Sequence, residues 1–415
     1  MELALLGGSP VRQNPLPDWP IFGREEEASL QEVLRSPAWG GYSRKVAEFE
    51  AAFAALHGVQ HAVCCCNGTV ALELALRALD LECGDEVIVP PISFVSTATA
   101  VLICHGVPVF ADVDACTLNL LPSAVEAAIT PRTRAVIAVH FGGHPADLDA
   151  LTEITSRHGL ALIEDSAHAH GAAWRGTPVG NFGAAAAFSF QAFKLMTAGE
   201  GGVVLTNSSD VAEKVWRYCN LGRHKDAGWF EHFTLGSNYR LSGFQAALLC
   251  AQLQRLPEQN RLRAENVKYF REQVRPLRGI YLPDDDTRVT SHPYYLITLR
   301  YNPVEFGGVE RDLFIRALQA EGIPAKGTYP YPLYRNPLFH SLPPCGCGKW
   351  RSPQDYKSLF LPESERVCKD GIWIDHFMFL GSRQEVDDII AAVDKIQQQA
   401  GSLLRLQERT QELRA

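Results

Sequence analysis

Lys194 stands in the segment Ser189-Phe190-Gln191-Ala192-Phe193-Lys194-Leu195-Met196-Thr197-Ala198-Gly199-Glu200-Gly201-Gly202, downstream of an apolar run, Leu160 to Ile163, that ends in Glu164-Asp165. An amine can hold a carbonyl carbon as a Schiff base, and a carboxylate can keep a nitrogen heterocycle protonated so that the ring draws electrons from a breaking bond. Ser189 adds a hydroxyl upstream of the amine, suited to a phosphate. Most lysines are merely solvated, but the glycine-rich turn after this one permits close backbone approach to a ligand. An amine and an acid in this relation suggest pyridoxal phosphate chemistry.

Three further groups could complete such a site. Cys66-Asn67-Gly68-Thr69 lies where a strand-like run gives way to a helical pattern, so the Gly68 and Thr69 amides and the Thr69 hydroxyl can point at an anion; Asn-Gly-Thr is equally a common turn and helix cap. Asp165 falls at the carboxyl end of an apolar run, the edge where open α/β sheets bind ligands, although it could simply cap the next helix. His168 could reach a phenolic oxygen of the cofactor, or act as a structural hydrogen-bonder. Phe94, in Pro90-Pro91-Ile92-Ser93-Phe94, could stack on a pyridine face or belong to the core.

The elements that must position these residues alternate between helix and strand from about residue 46 to residue 205. Helical spacing marks 46–53 and 71–79. Short, nearly all-apolar runs at 61–65, 86–89, 107–110, 135–139, 160–163 and 202–205 read as strands covered on both faces. A long helical stretch from Gln245 through Phe270 leads toward a second domain, with strand signals at 294–301, a helix at 309–321 and a closing helix from 384 to about 399. The Pro/Gly-rich segment from Gly327 to Trp350 reads as a long loop, and the residues after Gly401 as a mixed-charge tail. The expected division is a large domain over 1–260, with an N-terminal arm, and a small C-terminal domain over 261–415.

Composition narrows the function. At 415 residues and 46% hydrophobic, the chain is too long for one ordinary domain. A formal net charge of -8 and the lack of a basic run argue against nucleic acid or an anionic membrane as partner. No export signal or membrane-spanning run is read, so a cytoplasmic protein is expected. The eleven cysteines are scattered and are expected as reduced thiols. Cys345-Gly346-Cys347 fits no strong zinc spacing, and no metal is expected.

Six blocks together resemble the DegT/DnrJ/EryC1/StrS sugar aminotransferase family, within the fold-type I pyridoxal phosphate enzymes: Asn67 to Leu72, Pro91 to Phe94, Val139 to Asp147, Glu164 to Ala172, the Lys194 segment and Gly236-Ser237-Asn238-Tyr239-Arg240-Leu241. The resemblance implies an α/β fold, with a large domain built on a mostly parallel seven-stranded sheet and a smaller α/β C-terminal domain. It implies Lys194 as Schiff-base lysine and proton shuttle, Asp165 at the ring nitrogen, Phe94 and Ala167 on the two ring faces and His168 near the phenolic oxygen. Gly68, Thr69 and Ser189 would hold the phosphate, with Asn238 reaching across from the second subunit of a homodimer with shared active sites.

Within that family the Lys194 and Asn238 segments are similar to 3-amino-5-hydroxybenzoate synthases and to glutamine-dependent cyclitol aminotransferases. Tyr329 to Arg335 and Trp373-Ile374-Asp375-His376 add to that likeness. The expected reaction is transfer of an amino group from glutamine or glutamate, through pyridoxamine phosphate, to a cyclic ketone of an aminosugar or aminocyclitol pathway. Family dehydratases replace the lysine by histidine, and lysine here favours transamination. Cofactor-assisted dehydration to an aminohydroxybenzoate is the main rival, and a non-catalytic protein that retains the fold is another. For the acceptor, motif position suggests Trp39-Gly40-Gly41-Tyr42, His140, Arg223, Tyr329, Tyr331 and His376. Cys64-Cys65-Cys66 and Ala192-Phe193 depart from the usual motifs.

Overall fold

The six short apolar runs and one further segment, Ala185–Ser189, form one seven-stranded sheet, in the order His61–Cys65, Gly202–Thr206, Ala185–Ser189, Ala161–Asp165, Thr133–Val139, Glu86–Val89, Val107–Phe110. The computed structural model describes residues 2–341 and 352–412. All strands from Ala185–Ser189 to Val107–Phe110 pair in parallel, and Gly202–Thr206 runs antiparallel to both of its neighbours. The sheet is buried on both faces, which is why its strands carry almost no alternation. Its register sets Asp165 beside Val139 on one side and Ala187 on the other, so the ends of three parallel strands lie along one edge.

The strand Ala185–Ser189 carries no clear strand signal in the sequence, because its alanines have weak strand propensity. Packing decides the matter. A side chain at Gly183, just before it, would meet the Leu162 carbonyl oxygen at 2.5 Å, so the backbones approach too closely for large residues. Below this strand Phe53 meets Phe188 and Phe190 edge-on at 5.1 and 5.5 Å, and Phe49 meets Phe190 at 5.3 Å. Such pairs contribute about 0.5–1.5 kcal/mol each beyond their burial, and they anchor the chain four residues before Lys194.

The second layer of structure is a four-stranded antiparallel sheet, ordered Ile280–Tyr281, Leu296–Tyr301, Gly371–Asp375, Lys326–Gly327. Ile297, Leu299, Ile372 and Ile374 point from it into a core shared with the helices Arg311–Ala320 and Arg383–Gln398. One helix, Gly243–Val274, connects the two cores: Leu249 and Leu256 pack in the first, Val267, Phe270 and Val274 in the second. The expected boundary after residue 260 therefore falls inside a continuous helix. The amino-terminal residues also join the second core through Leu3, and the Ala4 and Val11 amides donate to buried Glu321 at 2.9 and 3.0 Å.

Three expectations change. The stretch after Gly401 is not a tail: Ala400–Glu412 is a helix with Leu403 buried in the second core. The loop expected from Gly327 begins on a strand and contains the short helix Pro337–His340, while 342–350, with Cys345 and Cys347, lie outside the described residues. Eight described cysteines are free thiols and Cys83 is not, which departs from the expectation of reduced thiols throughout. Among the described residues, no helix is long and apolar enough to cross a membrane.

Candidate active site

Where the edge of the large sheet faces the small one, a cavity of about 720 Å³ opens. Gly68, Thr69, Phe94, Asp165, Ala167, His168, Ser189 and Lys194 all line it. At one end, Asn67 caps the helix Gly68–Ala78: its side chain accepts from the Val70 amide at 2.9 Å, and its carbonyl accepts from Ala71. That leaves the first helical amides, of Gly68 and Thr69, available to an anion. A Cβ on Gly68 would stand 2.5 Å from the Ser189 Cβ, so glycine is what lets this helix end meet the Ser189 strand end. The Thr69 and Ser96 hydroxyls lie 2.6 Å apart beside them.

Asp165 and its neighbour Glu164 show how one strand end assigns two roles. Alternation turns their side chains to opposite faces. Glu164 accepts from the Gly180, Phe182 and Gly183 amides at 2.8 to 2.9 Å and from His140 Nε2 at 3.2 Å. Burial raises its carboxyl, but the bonds from His140, Gly180 and Gly183 outweigh burial and hold it below its ordinary value. Asp165 has fewer donors, the Thr97 hydroxyl at 2.8 Å and the Ala167 amide at 3.3 Å. Burial therefore wins, and its carboxyl is raised despite these bonds and the charge of Lys194. A carboxylate so placed gains from any protonated nitrogen brought against it.

The Lys194 turn is fixed from both sides. Leu195 and Met196 are fully buried, the Lys194 amide donates to the Gln191 carbonyl, and the Thr197 hydroxyl returns to the Phe190 carbonyl. From beyond the large sheet, Trp19 Nε1 donates to the Ala192 carbonyl and His376 Nε2 to the Phe193 carbonyl, both at 3.0 Å. The Lys194 ammonium sits 4.6 Å from the centre of the Tyr295 ring. Burial lowers its pKa to about 8 against the opposing pull of Asp165, so a useful fraction of free amine exists near neutral pH.

His168 stacks on the other side of this arrangement, 4.3 Å from Tyr295, with its Nδ1 buried and without a hydrogen-bond partner. Burial, reinforced by Lys194, holds it neutral. Phe94 is 61% exposed, which leaves its ring free to cover a bound one. Asn238 is exposed and does not line the cavity of its own chain; its expected role requires a second subunit.

The candidates for the acceptor divide. Tyr329 and His376 line the cavity. His140 does not: it is buried, bonded to Glu164 and accepting from the Ala146 amide, and so orients the Glu164 carboxylate. Arg223 and Tyr42 lie together elsewhere, with Arg223 4.0 Å over the Trp229 ring, and Trp39 and Tyr331 are exposed outside the cavity. The sequence reading missed Thr97, Tyr295, Lys326 and Asp375. Thr97 carried one available signal, its place three residues beyond Phe94 at the start of a helix; the other three become neighbours only through pairing in the small sheet.

An α/β sheet edge that offers an amine, a buried acid and a helix amino terminus to one cavity defines the architecture of a pyridoxal phosphate enzyme of the aminotransferase kind. The chain belongs to the DegT/DnrJ/EryC1/StrS aminotransferase family, whose model matches residues 20–394. It is an aminotransferase. A protein of Streptoalloteichus tenebrarius provisionally named an L-glutamine:3-amino-2,3-dideoxy-scyllo-inosose aminotransferase is 40% identical, over 97% of this chain and 99% of that one. The L-glutamine:2-deoxy-scyllo-inosose aminotransferase of the same organism is 37% identical, over 97% and 99%. Among solved structures, 3-amino-5-hydroxybenzoic acid synthase superposes with a TM-score of 0.86 at 34% identity, covering 93% of this chain and 99% of the other.

Proposed function

We propose that the protein binds pyridoxal phosphate through Lys194 and moves an amino group from glutamine or glutamate to a cyclic ketone, a keto-cyclitol of the inosose kind. The observation that carries this reading is the single cavity shared by Lys194, Asp165 and the Gly68–Ser189 contact. The chain's residues fit the cofactor: a phosphate at the helix end and Ser189, a ring between Phe94 and Ala167, an acid for the ring nitrogen and, at His168, a buried polar atom in want of a partner. Bound there, the cofactor supplies an electron sink for breaking a bond at the amino-bearing carbon.

The rest falls to the side chains. Asp165 would keep the ring nitrogen protonated. Lys194, its proton affinity lowered by burial, would move the proton at the donor's Cα. The Tyr295 ring lies under it, and His168, stacked on Tyr295 and held neutral, does not compete for that proton. Glutamine as donor and an inosose as acceptor are the activities named for the relatives. A homodimer with Asn238 reaching the partner's cavity is supported by the exposed Trp229, Phe230, Phe233 and Leu235 close before it in sequence. Expression as a cytoplasmic enzyme accords with this chemistry.

The test is spectroscopic. Protein loaded with pyridoxal phosphate should lose the absorbance band of the lysine-bound cofactor on adding glutamine or glutamate, and regain it on adding a keto-cyclitol; no change with any donor defeats the reading. The likeness to 3-amino-5-hydroxybenzoic acid synthase supports one rival, dehydration with aromatisation. Product mass separates the two, since only dehydration loses water.

A further inference from the structure

The small sheet turns one face to its own core and the other to the cavity. Ile372 and Ile374 of the strand Gly371–Asp375 are buried in the second core, so Trp373 and Asp375, at alternate positions, face the opposite way, and both line the cavity. Lys326 pairs with Trp373 in the register of the next strand, and its Nζ reaches Asp375 Oδ2 at 2.7 Å. Asp375 Oδ1 accepts no hydrogen bond from a described residue. Its side chain is 18% exposed while that of Lys326 is 56% exposed, which puts the ammonium at the rim and the carboxylate deeper. Trp373 stands edge-on to Tyr329 at 5.3 Å, its ring held but half-buried.

This face opens toward the amine. Asp375 pairs in the sheet with Leu296, whose predecessor Tyr295 carries the Lys194 ammonium on its ring. His376, next in sequence, donates to the carbonyl just before Lys194. We propose that this face is the acceptor subsite: the Asp375 carboxylate accepts hydrogen bonds from neighbouring hydroxyls of an uncharged polyhydroxylated ring, Lys326 holds that carboxylate in place, and Trp373 packs against the ring's C–H face.

The charges select this ligand. The Lys326 ammonium is already matched by Asp375, Lys194 is reserved on this reading for the cofactor and the proton, and no arginine lines the cavity among the described residues, so a phosphate-bearing acceptor would meet a carboxylate with no uncommitted cation beside it. A donor's α-carboxylate would have to displace Asp375 from Lys326 to bind. A neutral polyol does neither: two adjacent hydroxyls donate to a carboxylate whose charge strengthens both bonds, and the C–H face of a saturated ring loses water against the indole.

The proposal rests on the cyclic-ketone reading above, and its test can fail separately. Cofactor-loaded protein is titrated with scyllo-inositol, an unreactive polyol, by calorimetry, and the two half-reactions are followed by the cofactor band with glutamine and with a keto-cyclitol. Asp375→Asn should weaken polyol binding and raise the KM of the keto-cyclitol at least about tenfold, the loss expected for hydrogen bonds to a charged group, while the glutamine half-reaction stays within about threefold. The double variant Asp375→Asn with Lys326→Met removes the orphaned ammonium; it should fold as the wild type does and bind the polyol as weakly as the single variant. Polyol affinity unchanged in Asp375→Asn, no polyol binding by the wild type, or a Lys326→Met variant that loses the glutamine half-reaction while keeping polyol affinity would each overturn the assignment. Wild-type protein that binds the polyol but performs neither half-reaction sinks the transfer reading instead.

Discussion

The wall of the cavity that belongs to the seven-stranded sheet gathers Lys194, Asp165, Ser189 and Gly68 at the ends of strands, whereas the facing wall lays Trp373, Asp375 and Lys326 across the surface of an antiparallel sheet. Strand ends offer backbone amides as well as side chains, and their positions are set by register and by the buried layer below. There a small change moves everything: the Gly68 backbone has no room for a methyl group. On a sheet face only alternate side chains reach the ligand, and each can be exchanged while Ile372 and Ile374 stay in their core. One construction suits fixed chemistry and the other suits a choice of substrate.

Substitutions should separate the two walls, with the largest effects at the strand ends. On the proposed reading Lys194→Ala removes both the covalent anchor and the mobile base; turnover should fall by about 10⁴-fold, while the protein still binds cofactor without forming the lysine band. Turnover close to wild type in that variant would mean that another amine does the work. Asp165→Asn keeps the shape and the Thr97 bond but cannot hold a ring nitrogen protonated, so both half-reactions should slow together by about 10²–10³-fold. A slowing confined to one half-reaction would place the acid elsewhere in the mechanism.

Glu164→Gln sharpens the contrast within one strand. The amide can turn its oxygen to only one side, so its nitrogen would face either the Phe182 and Gly183 amides or the Gly180 amide and His140, donor against donor, and stability should drop by about 2–3 kcal/mol, read by denaturant melting. The folded fraction should keep its cofactor band. Gly68→Ala should weaken cofactor affinity by about tenfold and lower stability as well, because the added methyl would stand 2.5 Å from the Ser189 Cβ, an atom fixed to its backbone at the phosphate end; equal affinity would show that the helix end does not hold the phosphate.

An effect of similar, modest size is one of pH. Only the neutral amine attacks the cofactor's aldehyde, so capture of pyridoxal phosphate by apoprotein should speed up as pH rises through about 8 and level off above it, a gain of about tenfold from pH 7 to 9. His168, held neutral by burial, adds no step in this range. A rate still climbing toward pH 10.5 would show that burial does not lower the lysine as described.

Much of the strand-end wall was legible because each part is local: a strand-to-helix turn at 66–69, an acid after Ile163, a lysine before a glycine turn. The exceptions have physical causes. The alanines of Ala185–Ser189 concealed a strand whose reason is backbone proximity rather than propensity. His140 looked like a site residue from its motif, and burial against Glu164 makes it a support. The final helix was hidden by its charge, since only part of one face, around Leu403, is covered.

The sequence by itself determined the alternation of helices and strands, the order in which the strand ends occur and the chemical kinds they carry, because hydrophobic period and side-chain chemistry are properties of neighbouring residues. Only the tertiary structure decided that Tyr295 lies under Lys194, that Asp375 takes Lys326 as partner and that Glu164 and Asp165 face different surroundings. Those relations depend on strand pairing and burial between residues far apart in the chain, and no local pattern records which distant backbone will exclude water from a given charge.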